Sequence, residues 1–337
     1  VSNKNKDALT VLPSNDNKQS GLEAALKCMA LSPHKLVSID GAESDQAFLL
    51  ACGYAVAADH AVEKVKAEAD SVVADHGCRV AALVERPRVD DLAPAPTRVS
   101  QQRTAIGTTA SGETPGPKLL ATVLVAGTSG EGRSTIVAAL VEQITDHAFH
   151  VCVVDPECDY DNLADAGSVS DTKQEPRMSK VIGLLERADV SVVVNLFAIE
   201  PLKRSRPLVE FLAETDQLRA TTGYPHWRVL DEVYHLLSAN WEPSPVTLPC
   251  ELPGANAAMV HPATVSKGFL SLITMAIGVG DGADDAIRQF CELTGGIVST
   301  ERAIPERGEM LFYGRDSCTT TVKTQRPRDK RERHIRK

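Results

Sequence analysis

Aromatic side chains are scarce, at 4% of 337 residues, so any core must be built from aliphatic side chains. The eight cysteines are scattered and include no C-x-x-C pair, so metal or disulfide use is the lesser alternative. Reduced thiols in a cytoplasmic protein are the expectation. No apolar run approaches the ~20 residues of a membrane span, so no membrane partner is expected. Basic residues are the minority, 36 Lys and Arg against 45 Asp and Glu, for a net charge of −9. That balance argues against a surface given over to nucleic acid and leaves only a local basic patch for it. Val1 opens the polar stretch VSNKNKD, so no secretory signal is expected at this end. The missing initiator Met leads us to expect that the chain starts inside a longer protein. Apolar content of 43% and charged content of 24% are ordinary for a globular protein. The length suffices for two domains.

The most informative stretch is Leu119 to Asp155. A short apolar run, Ala121 to Ala126, feeds the loop Gly127, Thr128, Ser129, Gly130, Glu131, Gly132, Arg133, Ser134. An amphipathic helical pattern follows from Thr135 to about Asp146, and a second apolar run ends on Asp155. The order predicts strand, loop, helix, strand. The loop fits the phosphate-binding pattern G-x-x-x-x-G-K-S/T at every place but one, because Arg133 stands where lysine belongs. Glycines allow backbone N–H groups to turn inward, and with a helix N-terminus these make a cradle for polyphosphate. Ser134 occupies the place of a Mg²⁺-ligating hydroxyl. Guanidinium keeps the charge of lysine, but it is longer, planar and forked. Glu131 adds a negative charge near the cradle. Binding tolerates these changes better than fast hydrolysis does.

A second acidic element lies ~100 residues downstream. Trp227-Arg-Val-Leu is a short apolar strand pattern ending on Asp231 and Glu232, the Walker B arrangement. A carboxylate at a strand tip can hold the Mg²⁺ shell, and its neighbour can orient and deprotonate water. Asp231 is assigned to the metal and Glu232, with Arg133, to catalysis. Further strands are expected at Val190 to Leu196, before His261, at Leu272 to Val279 and at Gly308 to Tyr313, the last of them. Helices are expected at Lys180 to Glu186, Leu208 to Ala220 and Asp284 to Leu293. Arg326 to Lys337 carries seven Lys and Arg against two acids and reads as a solvated tail, or a contact for nucleic acid or an acidic partner.

Residues 1–92 alternate short strands and helices at α/β spacing. The stretch from Asn17-Lys18 through Asp40-Gly-Ala-Glu-Ser-Asp45 to Asp75-His-Gly77 resembles the C-terminal half of a haloacid-dehalogenase-type phosphatase. The resemblance implies that Lys18 matches the phosphoryl-steadying lysine and that Asp45, with Asp40, matches the Mg²⁺ loop. The family's G-D pair is inverted as Asp40-Gly41, Ser44 replaces Asn, and Asp59-His60 replaces N-A. The nucleophile motif D-x-D-x-T/V is missing, and an aspartyl intermediate needs it. Residues 93–118, rich in Pro, Gly, Ser and Thr, are expected to be a linker, with a short hairpin around Ile106-Gly107 and Ser111-Gly112.

Roughly residues 119–337, with the domain itself expected at 119–324, resemble a HerA/FtsK-like P-loop ATPase of the RecA class, through VLVAGTSGEGRST, VCVVDPECDY, VVVNLFAIE, GYPHWRVLDEVYHLL and AAMVHPATVS in that order. The whole is similar to such an ATPase module fused behind a dehalogenase-type phosphatase. The resemblance implies two α/β domains, the second with a mainly parallel sheet, ATP and Mg²⁺ as cofactors, and a homo-oligomer. The expected function is Mg²⁺-dependent ATP binding with slow hydrolysis. A non-hydrolysing regulatory scaffold, and a phosphomonoester phosphatase in a longer chain, are the alternatives.

Overall fold

The computed structural model describes residues 2–5, 8–10, 18–29, 31–33, 36–40, 46–73, 103–128, 130–146, 149–160, 166–169, 173–187, 190–222, 226–241, 248–298, 300, 302–315 and 319–325. The chain divides into two compact units, one of residues 1–102 with 220–224 and one of the remainder. Both are α/β, as the alternation of patterns predicts.

In the first unit β1 (Ser2–Asn5) pairs antiparallel with β2 (Ala8–Thr10). Helix α1 (Lys18–Met29) follows. Then β3 (Val37–Asp40), β4 (Tyr54–Ala58) and β5 (Ser71–Val73) form a parallel sheet in that order. The crossovers are α2 (Gln46–Ala51) and α3 (Glu63–Glu68). Small side chains let this thin layer close: Ala55, Ala57 and Ala61 pack with Leu49 and Val65. Asp70 ties β4 to the turn before β5 by accepting the Ala55 N–H at 2.7 Å.

The second unit is built on a ten-stranded sheet. Its strands are β6 (Gly107–Thr108), β7 (Thr122–Gly127), β8 (His150–Asp155), β9 (Ala166–Ser168), β10 (Ser191–Asn195), β11 (His226–Leu230), β12 (Ala255–Met259), β13 (Met275–Val279), β14 (Glu309–Gly314) and β15 (Thr320–Thr324). Across the sheet they run β6-β15-β14-β13-β7-β12-β11-β8-β10-β9. From β13 to β9 every neighbour is parallel, and β14, β15 and β6 add an antiparallel edge. The helices are α4 (Arg133–Asp146), α5 (Met178–Leu185), α6 (Ser205–Thr222), α7 (Lys267–Leu270) and α8 (Ala283–Thr294).

The central strands are buried on both faces, which is why they read as continuous apolar runs rather than alternating ones. Leu124, Val154, Val194, Leu230 and Met259 share one core with Phe211 and Leu212 of α6 and Phe290 of α8. Leu140 and Ile144 of α4 are wholly buried. Each such side chain contributes roughly 1.5–3 kcal/mol, enough to fix the helix, and so the loop before it, on the sheet.

Two edge strands, β15 and β6, depart from the sequence pattern. Gly308 to Tyr313 was expected to be last, but β15, with Val322 as its buried side chain, follows it and pairs with β14. The expected linker ends earlier than Lys118 in form: residues 103–118 double back, with Arg103 bridging Lys118 and Thr109 N–H donating to Glu113 at 2.8 Å. Gly107 and Thr108 join the sheet edge, where a Cβ on Gly107 would lie 2.1 Å from the Lys323 carbonyl oxygen. Proline and glycine here shape a strap, which composition alone does not separate from a linker. Among the described residues no helix is long and apolar enough to cross a membrane, and no disulfide forms. The end of the alternating pattern of residues 1–92, from residue 74 on, and the basic tail from Arg326 lie outside the described residues.

Candidate functional site

The chain passes from β7 through α4 to β8, with β12 and β11 lying between those two strands, while β13 flanks β7 on its other side. In such open sheets the space outside the carboxyl ends of the strands is where ligands settle. The Gly-rich loop leaves β7 at that end, and Asp231-Glu232 leaves β11 at the same end, one strand removed.

Close approach explains the glycines. A Cβ on Gly127 would lie 2.2 Å from the Val279 carbonyl oxygen, because β7 and β13 are in register there. Gly130 and Gly132 hold φ of 88° and 107°, conformations that side-chain-bearing residues rarely adopt. Thr128, Gly130 and Glu131 are exposed at the loop tip, Ser134 is half-buried and Thr135 exposed; Ser129 lies outside the described residues. The Thr135 and Ile136 N–H groups both donate to the Gly132 carbonyl, at 3.0 and 3.1 Å, which closes the first turn of α4. Amides ahead of them have no carbonyl a turn back within the helix. Glu131 lies over Gly280: a Cβ there would come within 2.4 Å of the Glu131 Cβ and 3.0 Å of its Oε2.

Arg133 is buried, 4% exposed, and is committed. Its Nη1 donates to Glu232 Oε2 at 3.1 Å, and its Nη2 donates to Glu232 Oε1. The side chains are 5% and 7% exposed. The carboxylate is delivered by an unusual backbone: Glu232 has φ 42° and ψ 55°, left-handed, and begins the 3₁₀ turn Val233–His235. Asp231, 4% exposed, is still held to the sheet by its N–H to the Val154 carbonyl at 3.1 Å. The structure therefore brings Arg133, Asp231 and Glu232 to one end of the sheet. Of the other pair, Asp40 closes β3 in the first unit and Asp45 lies outside the described residues.

Asp155, at the tip of β8 and wholly buried, is turned inward. It accepts the N–H groups of Glu157 (3.0 Å) and Cys158 (2.8 Å) on Oδ1 and of Tyr160 (2.9 Å) on Oδ2. Burial pushes its carboxyl above the ordinary value, although those three donors pull the other way. Cys158, at φ 67°, accepts a hydrogen bond from Asn195 on its sulfur, and Glu157 meets His235 at 3.0 Å. The Tyr234 hydroxyl is pushed up to about 12 by burial and by the Glu232 and Glu157 charges. The sequence reading missed the Arg133–Glu232 pair, the Asp155 cap and Gly280. The available signal was the pairing of an odd cation in the loop with a second acid at the strand tip.

The loop backbone, the Ser134 hydroxyl and the Asp231 carboxylate at the β11 tip are groups of the kind that hold a polyphosphate and a divalent ion. The loop fits less well in its cation, since its arginine is already engaged by Glu232.

Residues 1–77 match the family model of the haloacid dehalogenase-like hydrolases. No curated protein matches the sequence. Among solved structures, the chain is similar to the genome packaging NTPase B204 from Sulfolobus turreted icosahedral virus 2 in complex with AMPPCP. Identity is 12% over 62% of this chain and 100% of that one, with a TM-score of 0.46. VirB4 of Thermoanaerobacter pseudethanolicus is 10% identical over 67% of this chain and 96% of that one, at 0.42. The pCW3 conjugation coupling protein TcpA is 15% identical over 67% of each chain, at 0.41. Identities and scores are this low, so the functional reading rests on the chain's own residues.

Proposed function

We propose that the second unit binds a nucleoside triphosphate, ATP, together with Mg²⁺, and hydrolyses it slowly. The observation that carries the reading is the meeting of Arg133 with Glu232. It puts the Gly-rich loop and the acidic strand tip at one end of a parallel sheet, where amides, a hydroxyl and two carboxylates can address one ligand. Gly127, Thr128, Ser129, Gly130, Gly132 and Thr135 would supply the phosphate cradle, and Ser134 and Asp231 would face the ion. Mg²⁺ when bound would neutralise phosphate charge and polarise the phosphoryl group. Glu232 would hold the attacking water and accept its proton. While both its oxygens are taken by Arg133 that role is closed to it, which supports slow rather than fast turnover. The dehalogenase-like unit is proposed as an attached domain, with no turnover assigned to its residues, and assembly into a homo-oligomer belongs to the same proposal.

Calorimetric titration of Mg²⁺-ATP into the full chain, followed by a phosphate-release assay, tests the reading. Saturable binding weakened by Ser134→Ala and Asp231→Asn, with slow release lost in Glu232→Gln, is the expected result. Absence of any binding at millimolar Mg²⁺-ATP or Mg²⁺-GTP would overturn it.

A further inference from the structure

Arg133 and Glu232 hold each other by two parallel hydrogen bonds, one of 3.1 Å, in a place where water has little access. A guanidinium presents the same planar fork to a carboxylate and to a phosphate. Glu232 occupies the edge formed by Nη1 and Nη2, so a phosphate takes that edge only by displacing the carboxylate. Glu232 cannot leave freely, since a buried charge stripped of its partner is costly. Its left-handed backbone holds it at the β11 tip facing Arg133.

We propose that Arg133 and Glu232 form a latch, in which a polyphosphate and the Glu232 carboxylate compete for one guanidinium; this rests on the nucleotide reading above. With the pair closed, the carboxylate is neutralised and idle. A polyphosphate that draws Arg133 away frees Glu232 only when phosphate is present, and binding is weaker by the work of parting the pair. The latch thus sets both affinity and the condition under which Glu232 becomes a base.

A plainer electrostatic effect makes a different forecast. If Glu232 only repels phosphate, removing its charge tightens binding whether or not Arg133 is present. The test is a double-mutant cycle on the full chain, titrating Mg²⁺ with a non-hydrolysable ATP analogue into wild type, Glu232→Gln, Arg133→Gln and the double variant. Glutamine at 133 removes the charge and the fork, so a cooperative melt of each variant verifies that the protein titrated is folded. Glu232→Gln should tighten binding about tenfold, and the same change made on Arg133→Gln should tighten it less than about twofold. Equal gains in both backgrounds, or no gain in Glu232→Gln, would overturn the latch while leaving nucleotide binding intact. If no protein of the four binds while all melt cooperatively, the nucleotide reading fails and the latch falls with it.

Discussion

Replacing Arg133 by methionine removes the charge and keeps most of the volume. In the native fold the pair is nearly dry, at 5% and 7% exposure of the two side chains, with both carboxylate oxygens engaged. Taking away one member of such a pair leaves the other charge buried and costs about 3–5 kcal/mol. Replacing both by uncharged residues of similar size is often near neutral, because the desolvation of both charges is relieved together. Arg133→Met should therefore lower the unfolding free energy by about 4 kcal/mol, and Arg133→Met with Glu232→Gln should recover most of it. For a unit of this size that corresponds to a fall of roughly 10 °C in melting temperature. Urea unfolding followed by tryptophan fluorescence is a suitable assay, since buried Trp227 lies on β11, the strand that ends at Asp231. Full additivity of the two single changes, with the double variant the least stable of the set, would refute the reasoning: the contact would then carry no coupling.

Gly280 at φ 75° faces Glu131, so Gly280→Ala should displace the loop, weakening Mg²⁺-ATP binding about tenfold and costing roughly 1–3 kcal/mol; unchanged calorimetry would show that the loop tolerates the shift. Arg228, 1% exposed, donates to Asp216, to Thr215 at 3.3 Å and to the Pro253 carbonyl at 2.8 Å. Asp216→Ala should cost roughly 2 kcal/mol, measured by chemical denaturation, whereas a loss within error would mean that the carbonyl and hydroxyl suffice. His226 is pushed down from 6.5 to about 4 by burial, with the charges of His150 and Arg219 adding to it. Unfolding lets the imidazole take up a proton that the fold refuses, so stability falls as pH drops from 6.5 toward 4, by roughly 3 kcal/mol at the low end. His226→Phe should flatten that slope, and equal slopes in the two proteins would exclude the histidine as its source.

The parallel core was legible because burial on both faces leaves unbroken apolar runs: Val190 to Leu196 overlaps β10, and Leu272 to Val279 overlaps β13. Helix termini were less legible. The expected helix began at Thr135 because glycines and a charge precede it, yet α4 starts at Arg133, whose side chain is buried by a partner 99 residues away. The edge near Gly107 was legible only as a short hairpin, not as a strand of the large sheet. Gly107 and Thr108 have no strand pattern of their own and become β6 only because β15 offers a partner. Local composition records what a residue can do alone. It does not record which distant group will meet it.

Glu232 illustrates why the site had to be assembled rather than read. A side-chain-bearing residue in the left-handed region costs about 1–2 kcal/mol, and glycine would occupy φ 42° without that cost. Were the position only a turn ending β11, glycine would serve it better. The glutamate keeps its place through what its carboxylate does at the other end, where two hydrogen bonds from Arg133 offset the backbone cost. The same trade applies to Arg133, since lysine would give the loop a compact charge but could not return the parallel bonds that hold the strand tip. Strain at 232 and the arginine at 133 are thus one feature seen from two ends, and a change at either position has to be judged by its effect on the other.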